Sequence, residues 1–218
     1  MPDLTTTDGV SVLTLGDDEN RFAPTWLDEV EAALDDVVAA GTPLVTVGAG
    51  KFYSNGLDLE WAQAHPDDFV PYVARVEALL ARVLALPVPT VAAVNGHAFG
   101  GGGLLALAHD WRLMRADRGF FCLPEVDIAL PFTPGMAALV QAKPTPRAAV
   151  DTMTTGARLG GTDAARAGIV DGTAPEESLL ADAIAKVAPL AGKDRTALGA
   201  IKETMFGPAV GLLRGSAG

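Results

Sequence analysis

One cysteine in 218 residues, Cys122, excludes an intrachain disulfide, and three histidines (His65, His97, His109) give no zinc-ligand spacing with it. Basic residues are scarce as well. Sixteen Lys and Arg face 27 Asp and Glu, a formal net charge of -11, and no run of them is long enough to track a phosphate backbone, so no nucleic-acid partner is expected. The opening Met-Pro-Asp-Leu-Thr-Thr-Thr-Asp has neither the basic n-region nor the apolar h-region of a secretory leader. The most apolar stretch, Val88 to Ala108, is broken by Pro89, Asn95, His97 and Gly100 to Gly103, so it does not read as a membrane helix. These absences lead us to expect a cytoplasmic protein in a reducing compartment, without metal, prosthetic group or membrane partner.

What is present is an apolar chain, 49% hydrophobic with 24 Gly and 15 Pro, long enough for one sizeable core. Val10 to Leu15 reads as a strand, and Pro24 opens a helix to about Ala40, with Trp26, Leu27, Val30, Leu34 and Val37 at helical spacing and Gly41 closing it. Leu44 to Val47 is a buried strand and Gly48 to Gly56 a loop. A helix over about Asp68 to Leu86 is stopped by Pro87 and Pro89. Strand Thr90 to Val94, a Gly-rich turn, an apolar helix through Ala108 and strands at Trp111 to Arg115 and Phe120 to Leu123 follow. Such alternation predicts an α/β architecture with strands covered on both faces. From Thr162 the chain is mostly Ala-rich helix (Asp163 to Ala167, Glu176 to Val187, Asp194 to Met205), interrupted by Ile169 to Gly172 and expected to fray from Gly207. We expect an α/β core over residues 1–156 and a helical region over 157–218.

Two glycine turns each follow a strand and precede a helix: Lys51-Phe-Tyr-Ser-Asn-Gly-Leu-Asp-Leu59 and Asn95-Gly-His-Ala-Phe-Gly-Gly-Gly-Gly103. Backbone N–H groups at a helix start lack partners, so two such turns side by side can hold one oxyanion. The same glycines also suit plain close packing of helix on sheet. Neither turn is a P-loop or a dinucleotide fingerprint, and Ser54 lacks the first glycine of a nucleophile elbow. In Leu123-Pro-Glu-Val-Asp-Ile-Ala-Leu130 two carboxylates sit among apolar residues, where desolvation would suit Glu125 to proton transfer; a surface-pointing Glu beside a Pro is the plainer alternative. Glu60 and Glu77 read as surface residues, His97 and His109 as structural, and Asp58 as an anchor of its own turn.

Jointly these motifs resemble the crotonase (enoyl-CoA hydratase/isomerase) superfamily. Phe52 to Leu59 resembles its F-x-x-G-x-D-[IL] turn and Asn95 to Gly103 its second oxyanion turn. Asp110, Pro124-Glu125 and the Leu159 to Gly172 stretch with Ala-x-x-x-Gly-Ile-Val-Asp resemble later landmarks. Within the superfamily, Leu105 to Phe120 and the following Pro-Glu-Val-Asp-Ile look most like the short monofunctional enoyl-CoA delta isomerases. The resemblance implies a Clp-protease-like spiral of repeated β-β-α units with a helical C-terminal extension, assembled through that extension as a homotrimer or hexamer.

Carried over residue by residue, the resemblance puts the oxyanion hole on the N–H groups of Leu57 and Gly101 and the catalytic base on Glu125. The second glutamate of the family's hydratases falls on Leu104, which can neither activate water nor return a proton, so a single-base isomerase acting on an acyl-CoA is expected. A hydratase or another crotonase-type enzyme, and an inactive acyl-CoA-binding homologue, are the alternatives. Coenzyme A is expected along Asn20, Arg21 and Phe22 and along Lys51, Phe52, Asn55, Gly56, Asp58 and Leu59, with Gly100 adjoining. Arg21, Lys51 and Lys202 are candidates for its phosphates. Trp61, Leu104, Leu123, Pro124 and Phe132 are expected to line a dry substrate pocket.

Overall fold

Residues 1–215 are described by the structure, a computed structural model. Strands β1 (Asp3–Thr7) and β2 (Val10–Thr14) form an antiparallel hairpin, turned by Asp8 and Gly9 at φ 50° and 76°. Helix α1 (Pro24–Ala40) begins with Pro at its first turn and ends at left-handed Gly41, whose N–H donates to the Val37 carbonyl. Three β-β-α passes follow. The first holds β3 (Leu44–Val47), β4 (Phe52–Ser54), α2 (Leu59–Ala64), a 3-10 turn (Pro66–Asp68) and α3 (Phe69–Leu84). The second holds β5 (Thr90–Val94), β6 (His97–Phe99) and α4 (Gly101–Ala108). The third holds β7 (Trp111–Arg115), β8 (Phe121–Cys122), α5 (Pro134–Ala142) and α6 (Pro146–Thr155). The chain continues through α7 (Gly161–Arg166), β9 (Gly172–Ala174), α8 (Glu176–Val187), α9 (Arg195–Met205) and α10 (Gly207–Gly215).

Each pass gives its first strand to a six-stranded sheet, β1-β2-β3-β5-β7-β9, and its second to a small parallel sheet, β4-β6-β8. This is the expected spiral of β-β-α units. All five residues of β5 are buried, because α8 lies on one side of the large sheet and the main core on the other. Helix α4 packs so close to β4 that a Cβ on Gly102 would lie 2.1 Å from the Ser54 carbonyl oxygen, so only glycine fits there.

Several expectations need correction. The loop read over Gly48 to Gly56 contains β4, and β1 is an additional strand. The region beyond residue 156 gives β9 to the large sheet. Residues 207–215 do not fray: α10 buries Ala209, Val210 and Leu213 against α3 and α5. That packing, with the Thr133 hydroxyl donating to its carboxylate, also places Glu77 wholly inside the molecule rather than on the surface. Residues 216–218, part of the expected frayed end, lie outside the described residues.

Lys202 is likewise no phosphate ligand. It is 4% exposed, and its Nζ donates to Asp110 at 2.7 Å and to the Val88 carbonyl at 2.8 Å, fastening α9 to the base of β5 and β7. Asp110 also accepts from the Thr90 N–H at 2.8 Å. Breaking one side of a buried pair strands the other charge, so Asp110→Ala is expected to cost about 3–5 kcal/mol of stability. Urea unfolding checks this; a cost below about 1 kcal/mol would show that the pair is not a fastening point.

Candidate active site

The strands of the small sheet run parallel, so their C-terminal ends meet at one edge. There β4 leads into Asn55-Gly56-Leu57, β6 into Gly100-Gly101 and β8 into Leu123-Pro124-Glu125. A cavity of about 350 Å³ opens between these three turns. Leu57, Phe99, Gly100, Gly101, Pro124, Glu125, Ile128 and Leu130 line it together with Arg21, Asn55, Leu59 and Glu60.

The first two turns almost touch. Gly56 has φ +75°, and a Cβ there would lie 2.5 Å from the Gly101 nitrogen; a Cβ on Gly101 would lie 3.3 Å from the Leu57 nitrogen. The N–H groups of Leu57 and Gly101 are thus neighbours, and among the described residues neither donates to a protein acceptor. Gly101 owes this to its place at the start of α4, where intrahelical acceptors run out. Leu57 is held by its surroundings. The Ser54 hydroxyl accepts from the Gly56 N–H at 3.0 Å and donates to the Asn20 carbonyl at 2.7 Å, while the Tyr72 hydroxyl accepts from the Asp58 N–H at 2.8 Å. The Asp58 carboxylate in turn accepts from the Trp61 N–H at 3.0 Å and caps α2, which is the anchoring role expected of it.

Glu125 faces this pair. Its Oε1 lies 3.4 Å from where a Cβ on Gly100 would stand, it is 7% exposed, and among the described residues its buried Oε2 has no hydrogen-bond partner. Burial pushes its carboxyl from 4.5 to about 7, against a smaller opposing effect from a hydrogen bond with its own backbone. A carboxylate on the same cavity as two neighbouring N–H groups without protein acceptors among the described residues can move a proton next to a carbonyl whose oxygen takes up negative charge.

The sequence model of the enoyl-CoA hydratase/isomerase family matches residues 5–210. The chain belongs to that family. It is 40% identical over 176 residues to enoyl-CoA delta isomerase 3 of Arabidopsis thaliana, covering 77% of this chain and 74% of that protein. It is 35% identical to the peroxisomal enoyl-CoA delta isomerase 1 of the same plant, over 88% of this chain and 83% of that protein. An enoyl-CoA isomerase structure from Mycobacterium tuberculosis superposes with a TM-score of 0.90 at 23% identity, covering 99% of this chain and 95% of that one, a likeness of fold.

Of the residues carried over from this crotonase family, Leu57, Gly101, Glu125, Gly100, Asn55, Leu59, Arg21 and Pro124 line the cavity. Others do not. Asn20 is buried at φ +50° and spends its amide on the Phe52 and Tyr53 carbonyls; Phe22 is buried and stacks on Trp26. Gly56 sets the approach of the two turns rather than the wall, and Phe52 tilts against His97 with the exposed Lys51 ammonium 5.1 Å from its ring. Leu104 and Leu123 are 1% and 0% exposed members of the main core, and Trp61 packs on His65 and Tyr72. Phe132 lines a neighbouring cavity that shares Glu125. For Leu104 and Leu123 apolar character signals core, not cavity.

Arg21 is engaged by three carboxylates: Glu19 at 2.5 Å, Glu60 at 3.1 Å and Asp58 at 3.7 Å. Phe99, Ile128 and Leu130 escaped the sequence reading; the only signal for the last two was an apolar stretch just after Glu125. His109 is structural, with its ring held between the Leu105 carbonyl and Thr46 and its imidazole kept neutral, pushed down to about 3 by burial. A roomier apolar cavity of about 560 Å³ lies under α9, but its Asp110 and Lys202 are committed to each other.

Proposed function

We propose that the protein isomerises 3-enoyl-CoA to 2-trans-enoyl-CoA with one carboxylate. The observation that carries this reading is Glu125, desolvated and without a hydrogen-bond partner at Oε2 among the described residues, on the wall of a cavity that also holds the turns of Leu57 and Gly101. The thioester oxygen accepts from the Leu57 and Gly101 N–H groups, which stabilise the dienolate as it forms. The Glu125 carboxylate takes a proton from C2; the electron pair moves into the conjugated enolate, and the resulting carboxylic acid returns the proton to C4. Glu60, the second carboxylate on the wall, is 83% exposed and paired with Arg21, and takes no part in the transfer. By the resemblance, the other acid of the family's hydratases falls on position 104, which is leucine here and packs into the main core next to the oxyanion turn. The relatives named as delta isomerases support the same choice.

Coenzyme A then runs along Arg21 and the Lys51 to Leu59 segment, with Lys51, which has no ion-pair partner among the described residues, free to meet a phosphate. We also propose assembly into a homotrimer or hexamer through the C-terminal helices, whose α9 leaves Ile201 and Met205 55% and 63% exposed; light scattering in solution tests it, and a monomer would refute it.

The base must be ionised to act. Because burial raises the Glu125 carboxyl to about 7, kcat/KM for a 3-enoyl-CoA is expected to rise about tenfold per pH unit below that value and to level off above it. A rate profile flat from pH 5.5 to 8 would remove Glu125 from the role. The assay that tests the reaction itself supplies 3-enoyl-CoA and follows conjugated product.

A further inference from the structure

We infer that Lys143 is an acyl-acceptor site: its side-chain nitrogen takes an acyl group from a CoA thioester, and the acyl chain then lies in the apolar cavity under α9. The donor class rests on the acyl-CoA reading above; the site rests on the chain's own residues, far from the catalytic turns. The cavity measures about 560 Å³, and Leu190, Leu198, Ile201, Met205 and Phe206 give it hydrocarbon walls. Lys143, the residue that ends α5, lines it as well.

The three acids around this lysine are committed elsewhere. Asp110 holds the Lys202 ammonium at 2.7 Å, Asp171 holds Arg112 at 2.8 Å, and Asp194 caps α9 by accepting from the Ala197 N–H at 2.7 Å. Among the described residues no carboxylate pairs with Lys143, whose nitrogen stands 4.6 Å from the centre of the Phe206 ring. Arg112 and Lys202 add repulsion, and the neighbouring His109 is neutral. Burial first, and then the Arg112 charge, lower the Lys143 ammonium from 10.5 to about 8, against the weaker opposing pull of Asp110 and Asp171. An unpaired lysine in hydrocarbon beside other cations is the setting in which an amine becomes a nucleophile near neutral pH.

The step balances without a further reactant. The free amine attacks the thioester carbonyl carbon, an N–C bond forms as the C–S bond breaks, and the proton lost by nitrogen leaves with the sulfur as the CoA thiol. The product is an uncharged amide. An unpaired cation is thereby removed from hydrocarbon, and the methylenes of the chain are buried beside it. Lys202 shares the cavity but spends its nitrogen on Asp110 and the Val88 carbonyl, and Lys193 is exposed. Ile201 and Met205 also belong to the face proposed for assembly, so assembled and dissociated protein both enter the test.

The full chain is incubated with octanoyl-CoA or acetyl-CoA, assembled and after dilution to dissociate it, and peptide mass mapping reads acylation at each lysine. At pH 8 about half of Lys143 is free amine, against less than about 1% of an ordinary lysine. Octanoylation of Lys143 is therefore expected to outrun that of the exposed Lys51, Lys186 and Lys193 by at least about tenfold in one or both samples, and its rate to level off above about pH 8. Octanoyl should exceed acetyl transfer at Lys143 alone. Ala197→Trp, at an exposed helix position on the cavity wall, should remove that excess. The inference is overturned by equal modification of these four lysines in both samples, by a Lys143 rate that still climbs tenfold per pH unit up to about pH 10, or by an octanoyl excess that survives Ala197→Trp. Selective acylation without isomerisation of 3-enoyl-CoA would overturn the proposed reaction and leave the acceptor site standing. Isomerisation without selective acylation would do the reverse.

Discussion

Glu125→Gln is expected to lower isomerisation of 3-enoyl-CoA by at least about 1,000-fold, because one group serves first as base and then as acid, and an amide does neither. Shape and apolar packing are kept, so affinity for a saturated acyl-CoA should change little. The same substitution should stabilise the fold at alkaline pH. The folded protein holds this carboxyl at about 7 against 4.5 for the free group, so between those values the folded state binds more protons than the unfolded one. Stability then falls as pH rises from about 4.5 to 7, and above 7 the ionised, buried carboxylate costs on the order of 3 kcal/mol. Glutamine does not bear that cost. Urea titrations should show Glu125→Gln more stable than wild type at pH 8 and nearly equal to it at pH 4.5. Activity within a few-fold of wild type would place the base elsewhere, and equal stability at pH 8 would mean that the carboxyl is solvated.

Gly56→Ala should be nearly as damaging to activity, although residue 56 carries no functional side chain. Its φ of +75° is strained for alanine by about 1–2 kcal/mol, and the new Cβ would fall 2.5 Å from the Gly101 nitrogen and 2.8 Å from the Phe99 carbonyl oxygen. The turns must separate, and the N–H groups of Leu57 and Gly101 then no longer converge on one oxygen. Loss of one such donor costs about 100- to 1,000-fold in kcat, so a loss in that range or beyond is expected, carried by kcat more than by KM. Gly160→Ala is the control: its backbone is in the extended region and its Cβ would meet nothing within 4 Å, so rate and stability should hold. A Gly56→Ala enzyme that folds and keeps its kcat would show that the thioester oxygen is not held between these turns.

The chemistry-bearing turns were legible in the sequence because their cause is local. A strand ending in glycine before a helix leaves N–H groups without intrahelical acceptors, whereas Pro124-Glu125 amid hydrocarbon fitted a surface-pointing Glu as well as a desolvated acid until the joint resemblance was weighed. What stayed hidden depends on distant partners. Lys202 looked like a surface cation until α9 laid it against Asp110, 92 residues earlier. Glu77 looked solvated because nothing in α3 announces that α5 and α10 will cover that face. Leu104 and Leu123 were read as pocket and are core; Ile128 and Leu130 were passed over and are wall. Hydrophobicity alone does not say which side of a turn faces empty space. Small strands such as β4 and β9 are too short to show a period, and the parallel pairing of β4, β6 and β8 sets where the site forms.

Proton transfer by a single carboxylate is tested most directly by comparing two reactions of the wild-type protein. Supplied with 3-enoyl-CoA it should form 2-trans-enoyl-CoA rapidly, and supplied with 2-enoyl-CoA it should release 3-hydroxyacyl-CoA at least about 100-fold more slowly, since Glu60, the other carboxylate on the cavity wall, is exposed and paired with Arg21. Hydration as fast as isomerisation, with Leu104 in place, would contradict the account.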